Sequence, residues 1–331
     1  MSFPAEAYSA VNKEFENKRK NAAELLEQHR VYCHKKAPEI SELENLKSTL
    51  GTKSVTEAIK AGKKARAVVE EYKKQSLDLQ KQIKDILKYL ELDESYLTLQ
   101  YSCKKCEDRG YIGVKMCDCY KKELIRQSFA LSNLGASLSE QTFENFNLKY
   151  YSDKKDPDYG NQSAREHIEK VFKFCKQYAA QFSSESKNLM LKGQCGLGKT
   201  HLSSAIAKEV IEKGHWVAYE TTQGIISKLE AEHFGKSEDV KTEYLYRCDL
   251  LIMDDLGAEF KTSFTESALY NLINQRIVSK KTTIISTNYT DDEINDIYHE
   301  RINSRLKGDF LPLQFFGEDI RAKKQLKKVK G

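Results

Sequence analysis

The stretch LKGQCGLGKTH, residues 191–201, holds Gly193, Gly198, Lys199 and Thr200 in the spacing G-x-x-x-x-G-K-[ST]. Each residue type suits a polyphosphate. Glycines let backbone N–H groups curl around an anion that side chains would obstruct. A helix starting at the end of the loop aims its first N–H groups and the positive end of its dipole at the same anion. Lys199 would reach the β- and γ-phosphates as a point charge, and the Thr200 hydroxyl would serve Mg²⁺. The expected nucleotide contacts are therefore Gly193, Gln194, Cys195, Gly196, Leu197, Gly198, Lys199, Thr200 and His201. Cys195 reads as a small residue tolerated in the loop.

DLLIMDDLGAE (249–259) is an apolar run ending in two carboxylates. Beside a phosphate loop, the first acid at a strand end holds Mg²⁺, usually through water, which assigns Asp254 to the metal. Asp255 is then placed to orient or deprotonate an attacking water. Two adjacent carboxylates facing a cavity are costly without a cation; the plainer reading is an exposed acidic strand end. TIISTNYT (283–290) ends in Asn288, an amide that could bond the attacking water or the γ-phosphate, or simply end a strand. In YHERINSRLKG (298–308), Arg301 and Arg305 lie four apart on one helix face. They read as surface charges or as cations reaching into a neighbouring subunit's nucleotide.

Eight cysteines are present, and four of them, Cys103, Cys106, Cys117 and Cys119, form C-x₂-C and C-x-C pairs separated by ten residues. Gly110 and Gly113 suit a hairpin that returns the second pair to the first. Four thiolates would close a tetrahedral Zn²⁺ shell with no open position, which fits a structural role. An iron–sulfur cluster and free thiols are the alternatives, and the tight C-x-C is unusual for a zinc knuckle.

These groups need elements to hold them. The runs 188–192, 216–221, 249–255, 282–287 and 311–316 alternate with helical patterns, which predicts parallel strands with crossover helices. Ser263 and Glu266 stand in capping-box spacing and predict a helix start. Another helix is expected over 163–182. Residues 1–100 read as two or three amphipathic helices. Val11, Phe15, Ala22, Leu26 and Cys33 recur at helical spacing, and Tyr72, Ser76, Leu79, Ile83, Ile86 and Leu90 form a heptad-like seam. This part is either a self-contained helical hairpin or a partner-docking region. The expected division is 1–100 helical, 101–125 cysteine segment, 126–186 connector and leading helix, 187–322 nucleotide-binding core, and 323–331 basic tail.

The chain has 331 residues, 31% of them charged, and a formal net charge of +5. That balance permits nucleic-acid binding without arguing for it. No apolar run reaches the roughly 18 residues of a membrane span. The start, MSFPAEAYSAVNKEFENK, lacks a signal core. No membrane association and a cytoplasmic location are expected.

Taken in order, the glycine loop, the DD strand, TIISTN, ERINSRL and FFGEDIR resemble the AAA+ ATPase module, and more narrowly the DnaC/DnaI-type bacterial helicase loaders. The resemblance runs from about residue 96 to 322. It implies an α/β AAA+ P-loop core with a five-stranded parallel sheet and no full lid domain, preceded by a helical amino-terminal region and a small zinc segment. It implies Asn288 as sensor 1, Arg305 as the arginine finger, Arg301 as a further trans contact and Arg321 in GEDIR as sensor 2. Asp255 stands where many AAA+ ATPases have glutamate, as is usual in this loader group, and implies slow, partner-stimulated hydrolysis.

The function implied is ATP-dependent loading of a replicative DNA helicase hexamer onto single-stranded DNA in replication. The cofactors would be ATP, Mg²⁺ and Zn²⁺, with nucleotide at the interface between copies of the chain. The amino-terminal part would dock the helicase. Lys228, Lys236, Lys241 and Tyr244 follow the second strand, where related initiators carry pore-facing elements; the alternative is solvated helix surface. An IstB-like transposition helper, a small-molecule kinase and a non-hydrolysing nucleotide-binding adaptor are the competing classes.

Overall fold

Five strands form one parallel sheet: β5 (Asn188–Lys192), β6 (Val217–Thr221), β7 (Leu250–Leu256), β8 (Thr282–Thr287) and β9 (Phe310–Gln314), in the order β6-β7-β8-β5-β9. Being buried on both faces, such strands are continuous apolar runs. The period of two sends alternate side chains to opposite sides. Leu189, Leu191, Leu250 and Ile252 enter one core, and Met190, Leu251, Met253 and Ile285 the other.

The computed structural model describes residues 3–134, 140–157, 160–235 and 242–321. Residues 323–331, Lys236 and Lys241 lie outside them. The chain divides into two compact units, residues 12–120 and residues 1–11 with 121–331.

Residues 12–120 hold most of α1 (Ala5–Lys36), then α2 (Glu39–Ala61) and α3 (Ala65–Tyr89). A turn at Gly62–Lys64 folds α3 back along α2. Cys33, Ala37, Ile40, Ile83 and Leu87 make the core, with Ile86 and Leu90 packed on it. The heptad seam holds in part. Leu87 is more deeply buried than Tyr72, Ser76 or Leu79, because a straight helix drifts from a 3.5-residue repeat. The hairpin β1 (Tyr111–Ile112) and β2 (Lys115–Met116) turns at Gly113, whose φ is 59°. Cys119 lies in the first turn of α4 (Asp118–Leu131).

In the larger unit, a short β3 (Lys155–Asp156) and β4 (Gln162–Ser163) pair leads into α5 (Ala164–Ala180), whose start is a capping box of Ser163 and Glu166. Helix α6 (Lys199–Glu212) follows β5, α7 (Thr222–His233) follows β6, and α8 (Glu243–Arg247) precedes β7. Helices α9 (Ser263–Val278), α10 (Asp291–Ile297) and α11 (Glu300–Asp309) complete it. The capping expected of Ser263 with Glu266 is corrected. Thr262 is extended, and its hydroxyl accepts from Thr265 N at 3.1 Å, which makes Ser263 the first helical residue. The last strand ends at Gln314, short of the expected 316. Phe315 and Phe316 turn into the core, and Phe315 N donates to Lys192 O at 2.7 Å.

Candidate nucleotide site

The loop after β5 lies at the carboxyl ends of the strands, where ligands of open α/β sheets bind. All three loop glycines are required by their surroundings, Gly193 because a Cβ there would stand 2.2 Å from the Phe315 backbone oxygen. A Cβ on Gly196 would stand 1.9 Å from Asp319 Oδ1, and one on Gly198 would stand 2.7 Å from the Tyr151 hydroxyl, with φ of 77° and 92° respectively. Lys199 is the first residue of α6 and is 5% exposed. Its Nζ donates to Gly193 O at 2.5 Å, Gln194 O at 2.8 Å and Asn288 Oδ1 at 2.8 Å. Burial pushes the ammonium below the usual lysine range, while Asp255, Cys195 and Asp254 pull it back up.

The two acids end up in different surroundings. Asp254 is buried, and its carboxylate accepts from the Thr200 hydroxyl at 3.2 Å, the Tyr219 hydroxyl at 2.9 Å and the Ser286 hydroxyl. That geometry joins the loop threonine to the first acid, the pairing a Mg²⁺ ion would require. Asp255 has a φ of 56°, the left-handed region that non-glycine residues seldom occupy. Its N–H donates to Ser286 Oγ at 3.0 Å, and Asn288 Nδ2 donates to its Oδ1 at 3.4 Å. Burial, and then the charge of Asp254, raise its carboxyl above the usual aspartate range. A carboxylate so held can accept a proton from water.

A cleft of about 410 Å³ opens over the loop, lined by Cys195 to His201, Asp255, Asn288 and Arg321. This is within the size of small-molecule sites. Its other wall comes from Asn145, Phe146, Asn147, Tyr150 and Tyr151, part of the segment read as a connector. The Tyr151 hydroxyl donates to Leu197 O at 2.8 Å, His201 Nε2 lies 2.8 Å from Thr142 O, and Phe146 stacks on Phe172 at 5.4 Å. An aromatic wall opposite a phosphate loop suits the flat base of a nucleotide. The sequence signal was the density of rings in FENFNLKYY, and spacing does not show that it returns to the loop.

Arg321 lies at the rim, its Nη1 3.5 Å from Cys195 Sγ; Ile320 N bonds Gly196 O at 3.1 Å. Arg301 and Arg305 do not line the cleft. They project from α11, Arg301 exposed and Arg305 paired with Asp309 at 3.5 Å.

In the smaller unit the Sγ atoms of Cys103, Cys106, Cys117 and Cys119 all lie within 4.8 Å of one another, with two pairs at 3.9 and 3.4 Å. Zn–S bonds of about 2.3 Å in a tetrahedron place sulfurs roughly 3.8 Å apart, so the donors fit zinc. The Asp108 carboxylate accepts from Ser102 N and Cys103 N at 2.8 and 2.9 Å, and Cys117 N bonds Gly110 O at 2.9 Å. Backbone N–H groups of Cys106 and Lys105 draw the Cys103 thiol down to about 7.

Lys228 and Tyr244 turn inward, both bonded to the buried Glu220 carboxylate. An aromatic cluster that sequence reading missed lies nearby in the chain: His233, Phe234 and Phe264 have ring centroids 4.9 to 5.7 Å apart. Phe234 is 58% exposed and Phe260 81%.

A family model described as IstB-like ATP binding protein matches residues 147–304. This segment is an IstB/DnaC-type AAA+ domain. The AAA+ domain is homologous to the replicative helicase loader DnaC of Escherichia coli (strain K12), 27% identical over 134 residues, 40% of this chain and 55% of that protein. The chain thus spans little more than half the length of that relative. DnaC of Buchnera aphidicola subsp. Baizongia pistaciae (strain Bp) is 25% identical over 186 residues, 55% of this chain and 70% of that one. Among solved structures, DnaI is similar at TM-score 0.45 and 19% identity, covering 54% of this chain and 93% of its own. The DnaC helicase loader is similar at 0.43 and 23%, covering 53% and 98%. Among the described residues, no helix is long and apolar enough to cross a membrane.

Proposed function

We propose that the protein is an ATP-dependent loader: its amino-terminal part binds a replicative DNA helicase, and its AAA+ domain uses ATP to place that helicase on single-stranded DNA. The observation that carries this reading is the division of the site. Lys199, Thr200, Asp254, Asp255 and Asn288 converge at one end of the sheet, whereas Arg305 and Arg301 lie on a helix away from the same chain's cleft. With Arg305 and Arg301 outside its own chain's cleft, each copy would offer them to the nucleotide of a second copy, so ATP becomes a signal for assembly rather than a reagent for a metabolite.

In this scheme the loop amides and Lys199 hold the phosphates. Thr200 and Asp254 hold Mg²⁺, a Lewis acid when bound. Asp255 accepts the proton of the attacking water, which Asn288 orients. Arg321 contacts phosphate from the rim, and Arg305, with Arg301 beside it, neutralises developing charge in the adjacent copy. The four cysteines hold a structural zinc that shapes the docking part. Phe234, exposed beside Phe264, offers bases a stacking face, which single strands use without sequence preference.

The test is size-resolved co-migration with the cognate replicative helicase, with and without ATP, for the full chain, Lys199→Ala and a chain lacking residues 1–125. The expected result is binding by the full chain, none by the truncation, and binding without loading by Lys199→Ala. No binding under any nucleotide condition would sink the reading. A second reading, a transposition helper ATPase, is favoured by the IstB-like family match. It predicts co-migration with a transposase instead.

A further inference from the structure

Glu259 is 5% exposed and touches neither the phosphate loop nor the cleft. Its carboxylate accepts from Gly257 N at 2.8 Å and from the hydroxyl of Tyr298, itself 4% exposed and part of the apolar core. A carboxylate in such a place is costly, and apolar residues of similar volume often stabilise as well or better. Fold stability alone gives little reason for this pair.

Its two ends are informative. On one side, Gly257 is two residues beyond Asp255, and Ala258 N bonds Asp255 O at 3.2 Å. The Tyr289 ring, next to Asn288 in sequence, closes over Gly257, where a Cβ would stand 2.1 Å from Tyr289 Cε2. On the other side, Tyr298 immediately precedes the cap of α11. Asn303 Nδ2 donates back to Tyr298 O at 2.7 Å, and Ile302 N and Asn303 N bond His299 O. Buried hydrogen bonds therefore run from the Asp255 turn to the first turn of the helix that carries Arg301 and Arg305.

We propose that Glu259 and Tyr298 are positioning residues that couple the Asp255–Asn288 end of one copy's nucleotide site to the orientation of the Arg305 helix it presents to the next copy. This rests on the reading that Arg305 acts in trans. A shift of the Asp255 turn moves Gly257 N, and with it the carboxylate that holds the Tyr298 hydroxyl. Helix α11 follows because Tyr298 is clamped to its first turn. Occupancy of one site thereby adjusts the cation offered to its neighbour, which gives successive sites a physical route for communication.

The experiment uses the full chain and reads ATP turnover, ATP-dependent self-association and the affinity of a fluorescent ATP analogue. Tyr298→Phe removes only the hydroxyl, and Glu259→Gln is the companion should either variant fold poorly. The expected result for Tyr298→Phe is analogue affinity within about twofold of wild type and turnover lowered about five- to tenfold, with no additional loss when combined with Arg305→Ala. Mixing with Asp255→Asn copies, which hold nucleotide but turn over slowly and have an unaltered α11, should restore turnover at Tyr298→Phe sites. A purely structural role would not be rescued in this way. If Arg305→Ala is impaired and rescued by Asp255→Asn copies while Tyr298→Phe is normal, additive or not rescued, the coupling is wrong and the shared site stands. If Arg305→Ala changes nothing, or wild type shows neither turnover nor ATP-dependent association, the shared site and the coupling fall together.

Discussion

Asn288 Oδ1 accepts a hydrogen bond from Lys199 Nζ at 2.8 Å, while the same amide's Nδ2 stands 3.4 Å from Asp255 Oδ1. One side chain thus spans the phosphate-binding cation and the proposed base. Its amide orients both groups without adding charge, so its loss should affect the reaction more than binding. Asn288→Ala is expected to lower turnover about a hundredfold, the scale for one oriented hydrogen-bonding group, with analogue affinity changed by less than about threefold. A large loss of affinity with unchanged turnover would assign Asn288 to ground-state binding instead.

The environment of Asp255 opposes the charge its chemistry needs. Its folded pKa is raised by burial and by Asp254. Stability from such a group is fully present below the unfolded aspartate pKa and is lost as pH rises through the higher folded value. Asp255→Asn removes that loss, and asparagine tolerates φ near 56° well. The nucleotide-free variant is expected to melt about 1–3 °C higher than wild type near neutral pH, with the difference closing towards acid pH. Turnover should fall at least about a hundredfold. A melting point lowered at pH 7 would show that Asp255 stabilises the fold.

How far the sequence revealed this molecule depended on the range of each signal. Gly193 to Thr200, Asp254 and the five strands were legible because a loop motif and a buried strand are local patterns. Phe146, Tyr150 and Tyr151 were not legible as cleft residues. The Tyr151–Leu197 bond joins positions 46 apart, and its partner depends on how α5 returns the chain to the sheet. Thr262 displaced Ser263 as the cap because adjacent hydroxyl residues compete for one site, and backbone geometry decides. Leu87 escaped the heptad seam through helical drift. Glu259 and Tyr298 each look unremarkable in sequence and acquire meaning only as a pair.

Gly196 tests the loop independently of any charge. Its left-handed φ and the 1.9 Å approach to the Asp319 carboxylate leave no room for a methyl group unless that side chain or the FFGEDIR segment carrying it moves. That segment carries Arg321 and closes on the loop through the Ile320 N to Gly196 O bond. Gly196→Ala is expected to weaken analogue binding at least about tenfold, with the melting point reduced by a few degrees. Unchanged affinity would mean that the loop is free to shift.

The cysteine cluster makes a prediction separable from the nucleotide site. About one zinc per chain should be found by elemental analysis. It should survive Cys195→Ser, which lies outside the cluster, and be lost in Cys117→Ser. Because metal binding is folding free energy for a small site of this kind, chelation should lower the thermal stability of the amino-terminal unit and abolish helicase co-migration. The only tryptophan, Trp216, belongs to the other unit. Its emission and the affinity for the ATP analogue should therefore be unchanged by chelation. Loss of nucleotide binding along with the metal would show that the two units do not act separately. A metal-free chain that still binds helicase would remove zinc from the docking role.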